Sequence, residues 1–552
     1  MSFVSHFQAY VNAISSDYAR ILQSLFIAAL SVSLWSIIFR RRKVQGVSTI
    51  GELPGPPSPS WWKGNLKQLT DLKNGWDFHR ALAEYGPAVK LNGFFRNKLF
   101  YTFDPQAMHH ILVKDAASFY RLRLRSSTLL FGKGLLSTGG EHHRKQRKML
   151  NPVFSIAHMR SMMPTFYDVV DQLETALSNR VQNGPTEIDL LGWMARTALE
   201  LIGQSGFGYS FDNMVEDAPK HKYSIVVKDL VPALSRLRVE RDFILPFALK
   251  FIPTRVFNLS YEHVPMESSS RSPRYGHLHA PTFRDEAVAR QIGRGKDILS
   301  VLMKENLQAD NEDKLDEDEI IGQMTTFIFA AMDTTSNGMS RILHLLSSHQ
   351  DVQDKMRQEI IEVRKNRPGE RLSYDELVAL PYLDAVCRET LRLYPPVSSI
   401  DRRSSEDRVV PLSRPVRGKD GISEVTEVFI PKSTTVVISI LNANRSTDLW
   451  GPDALEWKPE RWLTPLPESI MESKVPGVYA HLMTFSGGGR SCIGFKFSQL
   501  EMKVVISMLV ENFKFSLPPK KDIFWQMSGI SSPVVVGGDG HARLPLMVEL
   551  AK

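Results

Sequence analysis

One of the chain's two cysteines sits in Phe485-Ser486-Gly487-Gly488-Gly489-Arg490-Ser491-Cys492-Ile493-Gly494. Thiol chemistry is therefore confined to this loop or to Cys387. Three consecutive glycines leave the backbone free to adopt positive φ and to lie close to a bulky partner. Arg490 fixes a positive charge two residues before the sulfur. From Ile493 to Ile506 apolar and polar residues alternate at helical spacing. Cys492 is thus expected at the mouth of a helix, where unpaired N–H groups and the helix dipole favour a thiolate over a thiol. Such a thiolate suits an axial bond to a metal already chelated on its other sides. A structural reading competes, because a free cysteine is more often a small buried hydrophobe.

Three further groups could do chemistry. Asp333-Thr334-Thr335 interrupts an apolar run that includes Ile320, Ile321, Met324, Phe327, Ile328, Phe329, Ala330, Ala331 and Met332. A buried helix carries an acid there only for a reason, although a threonine bonded to its i−4 carbonyl would be satisfied. Glu389 and Arg392 share a helix ended by Leu393-Tyr394-Pro395-Pro396, and Pro459-Glu460-Arg461-Trp462 follows downstream. His143 and Arg147 stand at i, i+4 on one face of the basic stretch Gly140–Phe154, which alone reads as a solvated face or an anion-binding patch.

The cysteine decad resembles the Phe-x-x-Gly-x-Arg-x-Cys-x-Gly loop of the cytochrome P-450 family, with Phe485, Gly488, Arg490, Cys492 and Gly494 on its fixed positions. Ala330-Ala331-Met332-Asp333-Thr334-Thr335 resembles that family's oxygen-activation motif, with Ala331 in place of the usual glycine. Glu389, Arg392 and Arg461 resemble its core triad. His143 and Arg147 match its Trp-x-x-x-Arg helix, with His143 where the tryptophan stands. The motifs occur in the family's order.

This resemblance implies heme b (iron protoporphyrin IX), with Cys492 as metal ligand and axial thiolate. Phe485 would shield the sulfur, and Gly494 belongs to the same cofactor loop. Arg490, Arg402, Arg147 and His143 would meet the propionates. Ala330 would leave room for dioxygen, Thr334 would hold a water or the oxygen, and Asp333 would relay protons inward. The implied reaction is monooxygenation: one oxygen atom enters an unactivated C–H bond and the other leaves as water, with sulfur donating electron density through the iron. A non-oxygenating isomerase or dehydratase shares the loop but usually lacks the acid–threonine pair. A haem-binding sensor would need no proton relay. The family's layout also puts Phe131, Phe327, Ala330, Thr335, Val397 and Ile530 along the substrate cavity.

Periodicity supplies the elements that must hold these positions. Asp316 with Glu319 makes a capping box that opens a helix running to about Ser347, roughly 46 Å long. Strand-like runs occur near Ala88–Leu91, Lys98–Phe103, Glu427–Phe429 and Thr435–Ile440. The fold class is mainly α with small β-sheets, and it resembles the family's prism-like fold from about residue 65 to the end. The zone 204–283, rich in proline, glycine, serine and aromatics, would roof the cavity.

Four of the eight net positive charges lie in Arg40-Arg41-Arg42-Lys43, and the four left over the rest of 552 residues argue against nucleic acid. Two cysteines, one of them claimed by the loop, leave no disulfide framework. Ile21–Phe39 is free of charge over 19 residues, nearly enough to cross a ~30 Å hydrocarbon layer. The basic cluster follows it, so the expected order is a lumenal tail (1–20), a single N-terminal transmembrane helix (21–39), a basic and proline-rich linker (40–64) and a cytoplasmic catalytic domain (65–552). The expected location is the endoplasmic reticulum membrane. The chain carries no flavin- or nicotinamide-binding segment, so its electrons are expected from an NADPH-cytochrome P-450 reductase, with cytochrome b5 as a further donor. That partner would dock near Lys145, Arg147, Lys148 and Lys496. The substrate is expected to be a lipophilic small molecule. The sequence resembles most closely fungal members of secondary metabolism, which points to a terpenoid. In this topology the sequons at Asn258 and Asn444 stay unmodified, and a glycan detected on either by mass spectrometry would overturn it.

Overall fold

The computed structural model describes residues 47–122, 124–215, 297–365 and 369–551, together with Ser31. It separates Met1–Thr49 from a compact body, Ile50–Lys552. The expected anchor (Ser31 apart) and most of the 204–283 zone lie outside the described residues. Among the described residues no helix is long and apolar enough to cross a membrane.

The body is mainly helical, with small sheets. The helices that frame the site are α1 (Gly75–Glu84), α2 (Leu124–Phe131), α3 (Gly140–Leu150), α4 (Leu190–Phe207), α5 (Glu317–Ser348), α6 (Pro381–Leu393) and α7 (Phe495–Asn512). The largest sheet uses β1 (Ala88–Asn92), β2 (Lys98–Thr102), β3 (Phe119–Tyr120), β4 (Ser399–Ser404) and β5 (Thr435–Ser439) in the order β1-β2-β5-β4-β3. Only the β2–β5 pair is parallel. The expected run at 427–429 lies in the longer strand Glu424–Ile430, whose hairpin partner is Arg408–Arg417. Ile440, expected to end a strand, instead starts a short helix capped by Ser439. Two smaller ribbons matter below: β6 (Gly477–Tyr479) with β7 (Leu482–Gly487), and β8 (Ile523–Gln526) with β9 (Ser532–Val535). One hydrophobic core fills the helical part and another lies under the sheet.

The proline-rich segment is laid along β1, where Lys90 N–H donates to Pro54 O at 2.8 Å. Trp61 and Trp62 just beyond it are exposed.

Helix α5 spans 32 residues, about 48 Å. Its first turn is closed by the expected capping box: Glu319 N–H donates to Asp316 Oδ1 at 2.8 Å, and Asp316 N–H to Glu319 Oε2 at 3.0 Å. Near this end the loop after α2 meets it backbone to backbone. A Cβ on Gly134 would stand 2.2 Å from Gly322 O, so only glycine fits. Gln323 Oε1 then accepts from Leu135 N–H at 2.9 Å, which fixes the loop to the helix.

Glu389 on α6 is fully buried. Arg392 grips both its oxygens at 2.8 Å, Trp462 Nε1 donates at 3.0 Å, Lys458 N–H at 3.1 Å and Arg461 Nε at 3.4 Å. Arg392 also donates to Asn444 O and Ala454 O. Asn444 in turn donates to Thr484 Oγ1 on β7, one residue before Phe485. The triad thus holds the strand that delivers the cysteine loop. Asn444 is itself buried in this network.

Removing one partner of such a buried pair leaves an uncompensated charge, at a cost of about 3–5 kcal/mol. Glu389→Ala is expected to yield protein without bound haem, measured as the Soret-to-protein absorbance ratio after purification. Holoprotein at normal yield would contradict this role.

Candidate active site

Strand β7 ends in the glycine run, a single 3₁₀ turn covers Gly488–Arg490, and α7 starts at Phe495. Gly488 has φ +68°, and a Cβ there would lie 2.0 Å from Leu112 O. Gly487 is extended, but Pro476 O approaches it as closely as 2.1 Å from the Cβ position. The loop closes on itself through Cys492 N–H donating to Phe485 O at 2.8 Å. Phe485 packs edge-on against Tyr479, with ring centres 5.5 Å apart.

Cys492 opens onto a cavity of about 580 Å³. Of the expected site residues, His143, Arg147, Ala330, Thr334, Arg402, Phe485, Arg490, Cys492 and Gly494 all line it. So do Phe131, Phe327, Thr335, Val397 and Ile530. Asp333 does not line it. One residue's rotation along α5 turns it into the packed interior, where Asn337 Nδ2 donates to its carbonyl at 2.8 Å and to its carboxylate at 3.2 Å. Thr334 Oγ1 donates to Ala330 O at 2.7 Å. This is the i−4 bond of a satisfied helical threonine, yet the side chain still borders the cavity.

The charges around this space are mostly positive, with Asp401 the one carboxylate among its lining residues. Arg147 donates to Ser491 O at 2.6 Å and to Ser491 Oγ at 3.1 Å, Arg402 to Asp401 O at 2.8 Å and Arg490 to Thr138 O at 2.8 Å. Each bonds a neutral oxygen rather than a carboxylate. Arg121, which the sequence reading missed, joins them through Leu136 O at 2.8 Å. Burial and then its arginine neighbours push Arg490 down to about 10, and burial first pushes Arg402 down to about 10. His143 is driven to about 3 by burial and by Arg490, Arg147, Arg121 and Arg402, so it is a neutral hydrogen-bonding group. A cavity with four guanidiniums and a neutral imidazole on its border fits a ligand bearing two or more negative charges.

The sulfur of Cys492 is accessible from the cavity while protein surrounds it on its other sides. Burial raises the Cys492 thiol above its ordinary value, and the Gly494 N–H and Arg147 pull it down by less. Gly494 stands between the cysteine and α7, so the helix end acts at one remove and desolvation wins. The expectation of Arg147 on the docking face needs correction. This arginine is turned inward onto Ser491 and does not belong to an exposed docking face, whereas Lys148 is exposed and pairs with Asp313 at 3.1 Å.

Glu501 was also missed. It is fully buried on α7 beside Thr335, and burial holds it well above the usual carboxylate range. Only the meeting of α5 with α7 reveals it.

The cytochrome P450 family profile matches residues 54–533. Cytochrome P450 monooxygenase 91 of Postia placenta is 50% identical, covering 92% of this chain and 95% of its own. A ganoderic acid synthetase of Ganoderma lucidum is 46% identical over 95% of this chain and 97% of its own. A cytochrome P450 monooxygenase of Hericium erinaceus is 37% identical over 98% and 99%. With this profile running through the long helix, the triad and the cysteine loop, and relatives of this identity along nearly the whole length, the chain belongs to the cytochrome P450 family.

Proposed function

We propose that this monooxygenase inserts one atom of dioxygen into a terpenoid held in the cavity between Cys492 and α5. The observation that carries the reading is the convergence of a metal-capable sulfur, the small residues Ala330 and Ala331, Thr334 and a four-arginine border on one largely apolar space. Heme b suits this donor set. The thiol matches an iron, the arginines and neutral His143 match two propionates, and Gly494 leaves open space, its nearest neighbour at the Cβ position being Phe154 Cε1 at 3.8 Å. Bound there, the group would supply activation of dioxygen by two electrons and two protons.

The chain's own part is to bind, orient and move protons. Cys492 provides an anionic sulfur, helped by Arg147 and the Gly494 N–H. Thr334 keeps its lone pairs to accept a hydrogen bond from a cavity water, so a proton passes at Thr334 Oγ1. Asp333, turned away from the cavity, serves as its supply from the interior. The aromatic and aliphatic lining excludes water and orients an apolar substrate. The two electrons come from a separate NADPH-dependent reductase or cytochrome b5, docked by charge on the side of Lys148 and Lys496.

The terpenoid is supported by the apolar lining and by the relative named for ganoderic acid synthesis. The reading includes a membrane anchor at 21–39 and a cytoplasmic body at the endoplasmic reticulum, supported by the uncharged stretch ahead of Arg40-Arg41-Arg42-Lys43 and by the exposed Trp61 and Trp62.

Membranes holding the protein and a reductase, fed terpenoid intermediates with NADPH under ¹⁸O₂, are expected to release product with one labelled atom. Label drawn only from water would refute the reaction. Cys492→Ser is expected to abolish both turnover and the red-shifted band of the reduced protein with carbon monoxide. Arg402→Met removes one charge-assisted bond worth about 1.5–3 kcal/mol, so haem transfer to apomyoglobin should accelerate on the order of tenfold or more. Thr334→Val should retain haem and substrate binding yet lower product per NADPH by roughly tenfold.

A further inference from the structure

One wall of the cavity is the loop Met527–Ile530, carried between β8 and β9. These strands form a sheet of two only. An isolated two-stranded ribbon is marginal by itself, so its placement depends on ties to other elements. At its base Met527 N–H donates to Leu72 O at 3.0 Å and Ser531 N–H to Pro396 O at 2.8 Å. These bonds fix the two ends of the loop.

On β9, Arg543 N–H donates to Pro533 O at 3.0 Å and Val534 bridges to Ala542, whereas the hydrogen bonds to α1 and α5 meet at Trp525 on β8. Its carbonyl accepts from Trp76 Nε1 on α1 at 2.8 Å. Its own Nε1 donates to His344 Nδ1 on α5 at 2.9 Å, and the two rings stack at 25°. Since the indole can only donate, His344 is neutral with its proton on Nε2. One turn earlier on α5, the Arg341 guanidinium lies 3.6 Å from the Trp525 ring centre and 4.3 Å from that of Tyr394, which follows α6. Arg341 is only 8% exposed, and among the described residues it has no hydrogen bond and no carboxylate partner. A buried cation held by aromatic faces alone exerts its attraction on those rings.

We propose that Arg341 is a clasp: its contacts with Trp525 and Tyr394 set the tilt of the Met527–Ile530 loop and thereby the shape of the far part of the cavity. Arg341 is a positioning residue for substrate selection. It does not itself border the cavity. The proposal rests on the reading that this cavity holds the substrate. A planar guanidinium can lie flat against two rings, whereas a lysine ammonium cannot, so charge alone does not restore the clasp.

The test uses purified holoprotein, hydrogen–deuterium exchange across 523–535 and binding of imidazole and 1-alkylimidazoles up to decyl length. The ring nitrogen of each probe takes the open side of the haem iron and the tail reads the cavity. Arg341→Met, Arg341→Lys and Trp525→Phe are expected to keep the affinity of imidazole itself within twofold. Decylimidazole affinity should change by at least fivefold, and 525–531 amides should exchange at least fivefold faster. Wild-type exchange and wild-type dependence on tail length in Arg341→Met and Trp525→Phe would overturn the clasp. So would equal losses for imidazole and decylimidazole, which would make Arg341 a general structural residue. Should Arg341→Met fail to hold haem, Arg341→Lys and Trp525→Phe carry the same comparison. A wild-type protein indifferent to tail length would instead remove the reading of the cavity.

Discussion

Like charges crowded around one cavity are the constraint that the rest of this structure serves. Arg121, Arg147, Arg402 and Arg490 border it together, and burial with mutual repulsion lowers the proton affinity of Arg402 and Arg490 and keeps His143 neutral. Such a set does not assemble from pairwise attraction. Arg121, Arg147, Arg402 and Arg490 are each held by an oxygen of Leu136, Ser491, Asp401 and Thr138 respectively. The backbone thus fixes where these guanidiniums stand around the cavity.

The contrast with Glu389 shows the same chemistry used for the opposite purpose. There, one carboxylate collects donors from Arg392, Arg461, Trp462 and the Lys458 backbone. A charge so thoroughly satisfied has nothing left to offer a ligand, and what it gains is rigidity. That rigidity passes through Asn444 and Thr484 to the strand ending in the cysteine loop. A saturated carboxylate builds the frame, and the arginines inside it border the cavity.

What the sequence revealed and what it hid divide by the range of the interactions. The cysteine loop, the capping box at Asp316 and Glu319 and the helical spacing of His143 and Arg147 are local, so residue types at short offsets suffice to find them. Phe327, Ala330 and Thr335 reach the cavity because the motif fixes the register of α5, whereas Phe131, Val397 and Ile530 reach it from other segments. Asp333 shows the limit. Its neighbour Thr334 faces the cavity, but one residue of helical rotation turns the acid into the interior, and a motif does not say what it meets there. The thiol shows a similar limit: a helix end can be read from sequence, whereas the desolvation that opposes it depends on what packs around the loop. Arg121, Glu501 and the Arg341–Trp525 contact depend on segments up to hundreds of residues apart, and no local pattern marks them.

Helix α5 explains how these devices stay independent. Its first turn is pinned by the capping box and by the Gly134–Gly322 contact. Its middle brings Ala330 and Thr334 to the cavity, and its last turns hold Arg341 and His344 against the β8–β9 ribbon. Seven residues separate Thr334 from Arg341, about 10 Å along the axis. A helix held along its length by α4 and α7 transmits little bending over that distance, so a change at the clasp moves the ribbon rather than Thr334. Oxygen chemistry needs one fixed geometry for every substrate, whereas substrate choice needs a wall that can be re-tilted. Placing the first on the rigid helix and the second on a ribbon attached to it satisfies both demands with one element.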